Sequence, residues 1–289
     1  MIKRNWFDYL NVILMTIAGI VTLFPLYYIV IISVADYAAY ASSPVYLFPK
    51  SFDISAYKMI FKTNYVGSSL SVSVTITIIS TLLSLVVTTL AAYPLSKREI
   101  PGVKVVFGFI IATMFLNGGL IPYYLTIKSL NLIDTLAALI LPAAVNTFNL
   151  IILKNNFETV PASLEEAAKI DGANDIVILI KIVLPTCKAI LATIALFYAV
   201  ERWNEWYFAM LFIIDKGKRP LQLVLREVLF NSDMVTNPVG QQLAASKSKV
   251  YSEGVKMATV VVATIPIICV YPFLQKYYTK GIMIGSIKE

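Results

Sequence analysis

Along most of the chain, apolar residues run unbroken for longer than a water-soluble core requires. Six stretches stand out, roughly Leu10 to Val34, Ser69 to Leu95, Val103 to Leu125, Asp134 to Leu153, Ala189 to Ile214 and Val255 to Tyr271. A helix needs roughly 20 mostly apolar residues to cross a hydrocarbon layer about 30 Å thick, and each stretch is near or above that length. Backbone polar groups in lipid must find partners within their own segment, so stretches this long are expected to be helical. A barrel would instead show short alternating segments. The pattern predicts an all-α integral membrane protein with six transmembrane helices. It is read as one transmembrane domain over residues 1–289, with long polar connectors at 159–185 and 215–254.

Composition sharpens this picture. The chain is 58% hydrophobic and only 14% charged, against about a quarter charged in soluble domains. Lys3 and Arg4 precede the first apolar stretch as they would in a secretory signal, but that stretch is too long for a signal core and is read as a retained span. Cys187 and Cys269 suggest neither a disulfide framework nor a metal site. Lys and Arg divide twelve against eleven over the two sides, with Arg202 inside a helix, so the bare tally decides nothing. The short connectors do: Lys97, Arg98 and Lys104 follow the second span, whereas only Lys128 follows the third. The positive-inside rule then puts both termini in the cytoplasm. The net charge of +7 is scattered over both faces, which fits contact with membrane lipid headgroups and not with nucleic acid.

The connector at 159–185 is the most structured of the polar segments. Ser163 and Glu166 stand at capping-box spacing, and Leu164, Ala167 and Ala168 share a helical face. Gly172 can stop the helix in a left-handed conformation, Asn174 or Asp175 can cap a second short helix, and Pro185 ends it. This predicts a helix–turn–helix elbow, on the cytoplasmic side, with a small flat apolar face suited to a partner's groove. The plain alternative is a well-formed loop between spans.

The fifth span ends in Glu201-Arg202-Trp203-Asn204-Glu205-Trp206. Charges at membrane depth cost about 2.5–3.5 kcal/mol on insertion scales, so they normally face protein or a water-filled path. Glu201 and Glu205 are four apart, and Arg202 reaches Glu205 at three apart. One reading is a polar, aromatic lining for a sugar, with hydroxyls bonded to Glu201, Arg202, Asn204 and Glu205 and a ring face stacked on Trp203. The other is a structural ion pair. Asn117 in the third span and Asn146 in the fourth are further candidates for a path, although such residues more often join helices. Pro25, Pro142 and Pro266 are candidate kinks. Farther on, Leu221, Val224, Leu225 and Val228 form one face of an expected surface helix.

The sequence contains no histidine, which removes His-based acid–base chemistry and His metal ligation. It also lacks a G-x-x-x-x-G-K-[ST] phosphate loop and any Ser or Cys nucleophile signature. The chain is expected not to be an enzyme and to carry no cofactor.

Glu166-Ala167-Ala168, Gly172 after three residues, and Ile182 with Leu184-Pro185 after nine more resemble the EAA motif of ABC importer permeases. All fixed positions and both gaps agree. Span spacing over essentially the whole chain is similar to the maltose-type, oligosaccharide-transporting permeases. Asn117-Gly-Gly-Leu-Ile-Pro122, Pro220-Leu-Gln-Leu-Val-Leu-Arg226 and the segment from Tyr271 to Gly281 resemble the branch that imports complex oligosaccharides. The resemblance implies that the elbow is a coupling helix docking on an ABC ATPase dimer. Its coupling residues are then Glu165, Glu166, Ala167, Ala168, Asp171, Gly172, Ile182, Leu184 and Pro185, with Glu166 for polar contact, the two alanines for close packing and Gly172 for the turn. It also implies ATP and Mg on that partner ATPase, a second homologous permease subunit, an extracellular solute-binding protein and an oligosaccharide substrate. The competing readings are a membrane enzyme using Glu201 and Glu205 as acid–base carboxylates on a lipid-linked substrate, and an ion-coupled secondary transporter. The first has no need of a partner dock, and the second would want an internal repeat.

Overall fold

The computed structural model describes residues 6–36, 40, 42, 46–48, 51–62, 65–116, 118–230 and 252–286. Among them the regular structure is helical, and an isolated bridge joins Ala35 to Phe52. The chain divides into two compact units, one formed by Met1–Gly67 with Val224–Ile265, the other by Ser68–Leu223 with Pro266–Glu289.

In the first unit, helix α1 (Trp6–Ser33) carries Pro25 in its interior and buries only Ile31, Ile32 and Ser33 at its last turn. Val12, Met15, Ile20 and Leu23 are each more than 60% exposed. A stripe-free apolar surface of this kind is stable where the surroundings are themselves apolar. Beyond α1, Ala35 and Tyr46 are buried with Ile31, and Ser33 shares a 2.7 Å hydrogen bond with Tyr57 of α2 (Ser55–Lys62). Asp53 Oδ1 accepts the Ser55 N–H at 2.8 Å and so caps α2.

The second unit is organised around α3 (Tyr65–Leu95), of which Ser68 to Leu95 belong to it. One face of α3 buries Ser69, Ser73, Ser80, Ser84 and Thr88. Small side chains at this spacing let neighbouring backbones approach closely, which substitutes in lipid for the missing hydrophobic drive. Three of the hydroxyls also tie α3 to other segments. Ser73 Oγ accepts the Leu221 N–H at 2.8 Å, Ser84 Oγ donates to the Ala143 carbonyl at 3.2 Å, and Thr88 pairs with the Tyr198 hydroxyl at 2.7 Å. Two apolar cores flank this axis. One gathers Ala92, Tyr93, Leu95, Leu150, Leu153, Phe157, Ile178, Val183 and Tyr198; the other gathers Ile76, Ile127, Leu139, Phe212 and Leu223.

Three of the expected spans are not single helices. The stretch 103–125 is α4 (Val103–Ala112) and then α5 (Leu120–Ser129), separated by a break that ends at Gly119, whose φ of 85° suits a residue without Cβ. The stretch 134–153 holds α6 (Ala137–Ile140) and α7 (Thr147–Phe157), with Pro142 between them where a missing N–H breaks the ladder. The stretch 189–214 is α11 (Lys188–Trp203) and α12 (Tyr207–Phe212). At about 1.5 Å per residue a ten-residue helix cannot cross a bilayer alone; among the described residues two helices are long and apolar enough to do so unaided, Trp6–Ser33 and Tyr65–Leu95. The last helices are α13 (Leu221–Phe230) and α14 (Ser252–Ser286), which contains Pro266. The helix expected at 221–228 forms, and Leu221, Val224 and Val228 of its expected apolar face are buried, with Leu225 half-buried. Most of the expected outer loop, 231–251, lies outside the described residues.

Candidate functional site

The elbow forms as two short helices joined by a glycine turn. Its first helix, α8 (Ala162–Ile170), starts one residue ahead of the expected cap, with Pro161 at the N-cap and no side-chain capping bond. The capping box anticipated at Ser163 is therefore not made; Pro161, whose fixed φ already matches a helix entry, starts the turn instead. The end of α8 follows the expectation closely. Gly172 sits at φ 83°, its N–H donates to the Lys169 carbonyl at 3.0 Å, and the Ala173 N–H donates to the Ala168 carbonyl at 2.9 Å. These two bonds define a Schellman motif. Asn174 then caps α9 (Asp175–Ile178) by accepting the Val177 N–H at 2.9 Å. A π-helical turn over Leu179–Val183 leads into α10 (Leu184–Thr186). The chain bends by 87° between Asp175–Thr186 and Lys188–Trp203, so the corner falls at Cys187, two residues beyond Pro185. Burial pushes the Cys187 thiol up to about 11, which leaves it inert.

The two adjacent glutamates face opposite ways. Glu166 is exposed, as are Leu164, Ala167, Ile170 and Asp171, and Ile170 reaches 86% exposure. Ala168, Ile182 and Leu184 instead pack against the core that contains Tyr93 and Phe157; Pro185 is exposed. Glu165 is buried, ion-paired to Lys97 and within 3.3 Å of the Tyr93 hydroxyl, which donates to it. The Lys97 ammonium also lies 4.7 Å from the Tyr93 ring centroid. A second acidic residue, Glu158, pairs with Lys154 at 2.7 Å and Arg98 at 3.4 Å. Burial raises the Glu158 carboxyl, but bonds and charges from Lys154 and Arg98 outweigh it and hold the group below its ordinary value. Sequence reasoning used Lys97 and Arg98 only to orient the chain. Two cations directly after a span, with acidic residues flanking the elbow, were the available signal.

The polar run at the end of α11 is distributed in three directions. Glu201, Arg202 and Glu205 line a cavity of about 180 Å³ together with Tyr123, Pro142, Ala143, Asn146 and Phe208. The buried Arg202 holds Glu201 at 2.5 Å and Glu205 at 3.8 Å. Glu205 is further engaged by accepting the Phe208 N–H at 2.8 Å, which starts α12. Asn146 caps α7 by accepting the Phe148 and Asn149 N–H groups, and its own N–H donates to the Tyr198 hydroxyl at 3.1 Å. Trp203 is not at this cavity. It lines a second, apolar one with Val74, Ile78, Leu196, Val200 and Pro266, so Trp203 and the carboxylates do not share the one lining expected of them. Successive residues on a helix point about 100° apart, and the helix ends right after Trp203. Asn204 faces solvent and bonds back to the Val200 carbonyl at 2.8 Å. Asn117 lies outside the described residues. Both carboxylates are committed to Arg202, which leaves no free acid–base pair.

No family model matches the chain. It is 45% identical over 283 residues to the Protein LplC of Bacillus subtilis, covering 98% of this chain and 95% of that one. It is 42% identical to the polygalacturonan/rhamnogalacturonan transport system permease protein YtcP of the same organism, covering 99% of both. Among solved structures, a chain of a bacterial ABC transporter involved in the import of the acidic polysaccharide alginate superimposes with a TM-score of 0.88 at 35% identity, over 94% of this chain and 96% of that one. The chain belongs to the maltose-type sugar ABC transporter permeases. The permease is also 29% identical, over 93% of each chain, to the trehalose/maltose transport system permease protein MalG of Thermococcus litoralis. Membership makes it a multi-pass membrane protein and a transporter subunit, and it favours neither the enzyme nor the secondary-transporter reading.

Proposed function

We propose that this permease is the membrane-spanning subunit of an ATP-driven importer for oligosaccharides, with its elbow as the dock for a separate ATPase. The observation that carries the docking role is the elbow's outward face. Leu164, Ala167, Ile170 and Ile176 are exposed on a segment whose other side packs against the core. An ordered apolar face of this size, rimmed by the exposed Glu166 and Asp171, has the chemistry of a helix-in-groove contact. With the elbow at the cytoplasm, the chain crosses the membrane six times, the broken stretches completing their spans as helix pairs, and both termini lie inside. A second homologous permease and an extracellular solute-binding protein complete the assembly, and ATP and Mg reside on the ATPase.

The sugar is placed at the cavity lined by Glu201, Arg202, Glu205 and Asn146. Carboxylate oxygens accept from sugar hydroxyls, and the guanidinium and amide groups can donate to them. Oligosaccharides are favoured as cargo because the relatives named above include carriers of polygalacturonan, trehalose/maltose and alginate.

The test is gentle extraction of the tagged permease, followed by mass spectrometry of what copurifies, for the wild type and for Ile170→Glu. The expected result is a second multi-span protein and an ATPase with the wild type, and loss of the ATPase with the variant. A lone chain, even after mild cross-linking, overturns the proposal.

A further inference from the structure

Along the backbone the elbow continues into α7 on one side and, through α10, into α11 on the other. Its link to α3 is entirely through side chains. Lys97, just past the end of α3, pairs with the buried Glu165 of α8. The Tyr93 hydroxyl donates to the same carboxylate at 3.3 Å, and the Tyr93 ring meets Phe157 edge-on at 6.5 Å. Arg98 adds a contact to Glu158, but its side chain is 79% exposed, so that pair is screened and weak. The Lys97–Glu165 contact is shielded and therefore dominates.

From there α3 leads to the cavity. One turn and a half before Tyr93, Thr88 bonds to the Tyr198 hydroxyl, which accepts the N–H of Asn146 at 3.1 Å. One turn further, Ser84 donates to the carbonyl of Ala143. Asn146 and Ala143 both line the cavity with Glu201, Arg202 and Glu205. A continuous set of contacts thus runs from the inward side of the elbow, along α3, to the cavity wall. Rigid elements joined by hydrogen bonds and ion pairs are the kind of connection that carries coupling, but only measured coupling establishes it.

We propose that Lys97 and Glu165 are positioning residues that fasten the elbow to α3, so that elbow movement reaches the Ala143–Asn146 wall of the cavity. Glu166 and Glu165 then divide the work: the first faces the partner, the second passes its movement inward. The proposal rests on the elbow being the ATPase dock.

The experiment uses the whole reconstituted transporter and reads sugar transported per ATP hydrolysed for Lys97→Glu, Glu165→Lys and the double exchange. Each single variant is expected to keep ATP hydrolysis and to lower the ratio roughly fivefold or more, the scale of an ordinary coupling energy. The double exchange restores the pair with reversed sign and is expected to recover most of the ratio, which a general structural lesion would not allow. An unchanged ratio in both single variants overturns the proposal, as does a double exchange no better than the singles. Should a charge reversal prevent assembly, Lys97→Met and Tyr93→Phe serve in its place, and an unchanged ratio in both overturns it equally. Absence of any ATPase from the wild-type assembly overturns the docking reading itself, and the fastening role with it.

Discussion

The elbow at 159–185 and the turn at 201–206 are both short polar interruptions of an apolar chain, and they are built in opposite ways. The elbow is made from local rules. A left-handed glycine closes α8 with two carbonyl bonds, and Asn174 opens the next helix. Its charged residues separate cleanly into an inward Glu165 and an outward Glu166. The turn at 201–206 also makes local bonds, but they do not hold its residues at one site. Each successive residue goes to a different neighbour: Arg202 to two carboxylates, Trp203 to an apolar cavity, Asn204 to solvent, and Glu205 to the N-terminus of α12. A motif that closes on itself keeps its residues together, whereas a run along a helix is dispersed by the helical rotation.

That contrast can be broken at several points. Trp203→Ala carries the largest expected cost, about 3 kcal/mol from lost packing, read as a lower melting temperature of the purified assembly. Sugar selectivity should not change, because Trp203 lies away from the polar cavity; altered selectivity would put the turn back together as one site. Arg202→Met comes next, at about 3 kcal/mol or a little less, since it leaves Glu201 and the largely buried Glu205 uncompensated. Here uptake is expected to fall together with stability, and adding Glu205→Gln should recover part of the loss.

On the elbow the effects are smaller and local. Gly172→Ala meets no atom within 4 Å of the new Cβ, so its cost is purely conformational, about 1–2 kcal/mol for an L-residue in the left-handed region. It should reduce ATPase retention without changing sugar selectivity, and Gly172→Asn should be milder because Asn tolerates that region. Glu158 gives the smallest effect. Its folded value lies below the ordinary 4.5, so its stabilisation is present above that pH and is lost as the pH falls through the lowered value. Glu158→Gln is expected to remove about 0.5 kcal/mol at pH 7 and to flatten the acid limb of a stability-against-pH curve.

The elbow was legible because its signals are short-range: the Gly172 turn was expected and Asn174 was one of two expected caps, while the start of α8 shifted from Ser163 to Pro161 and the corner from Pro185 to Cys187. The pairing of Arg202 with Glu205 was legible for the same reason, the two being three residues apart, and Glu201 is Arg202's immediate neighbour. Lys97 was not, because its partner Glu165 is 68 residues away. Tyr198 and Thr88 are 110 residues apart and looked like ordinary members of apolar spans. Pro142 already marked the interruption of the fourth stretch, whereas those in the third and fifth were hidden because hydropathy averages over a window and does not register a break of a few residues.

The sequence by itself determined that the chain is apolar enough for a membrane, mainly helical in its long runs, free of histidine and of a phosphate-binding loop, and furnished with a glycine-terminated elbow. Each of these depends on composition or on residues within a turn or two of one another, where backbone geometry leaves little choice. The tertiary structure decided which glutamate of the elbow faces inward, that Lys97 meets it, and that Trp203 and Arg202 line different cavities. Those outcomes depend on where a side chain points once separate helices are packed, and in a chain this apolar many packings satisfy the same hydropathy. Specific hydrogen bonds and ion pairs between distant segments select one of them.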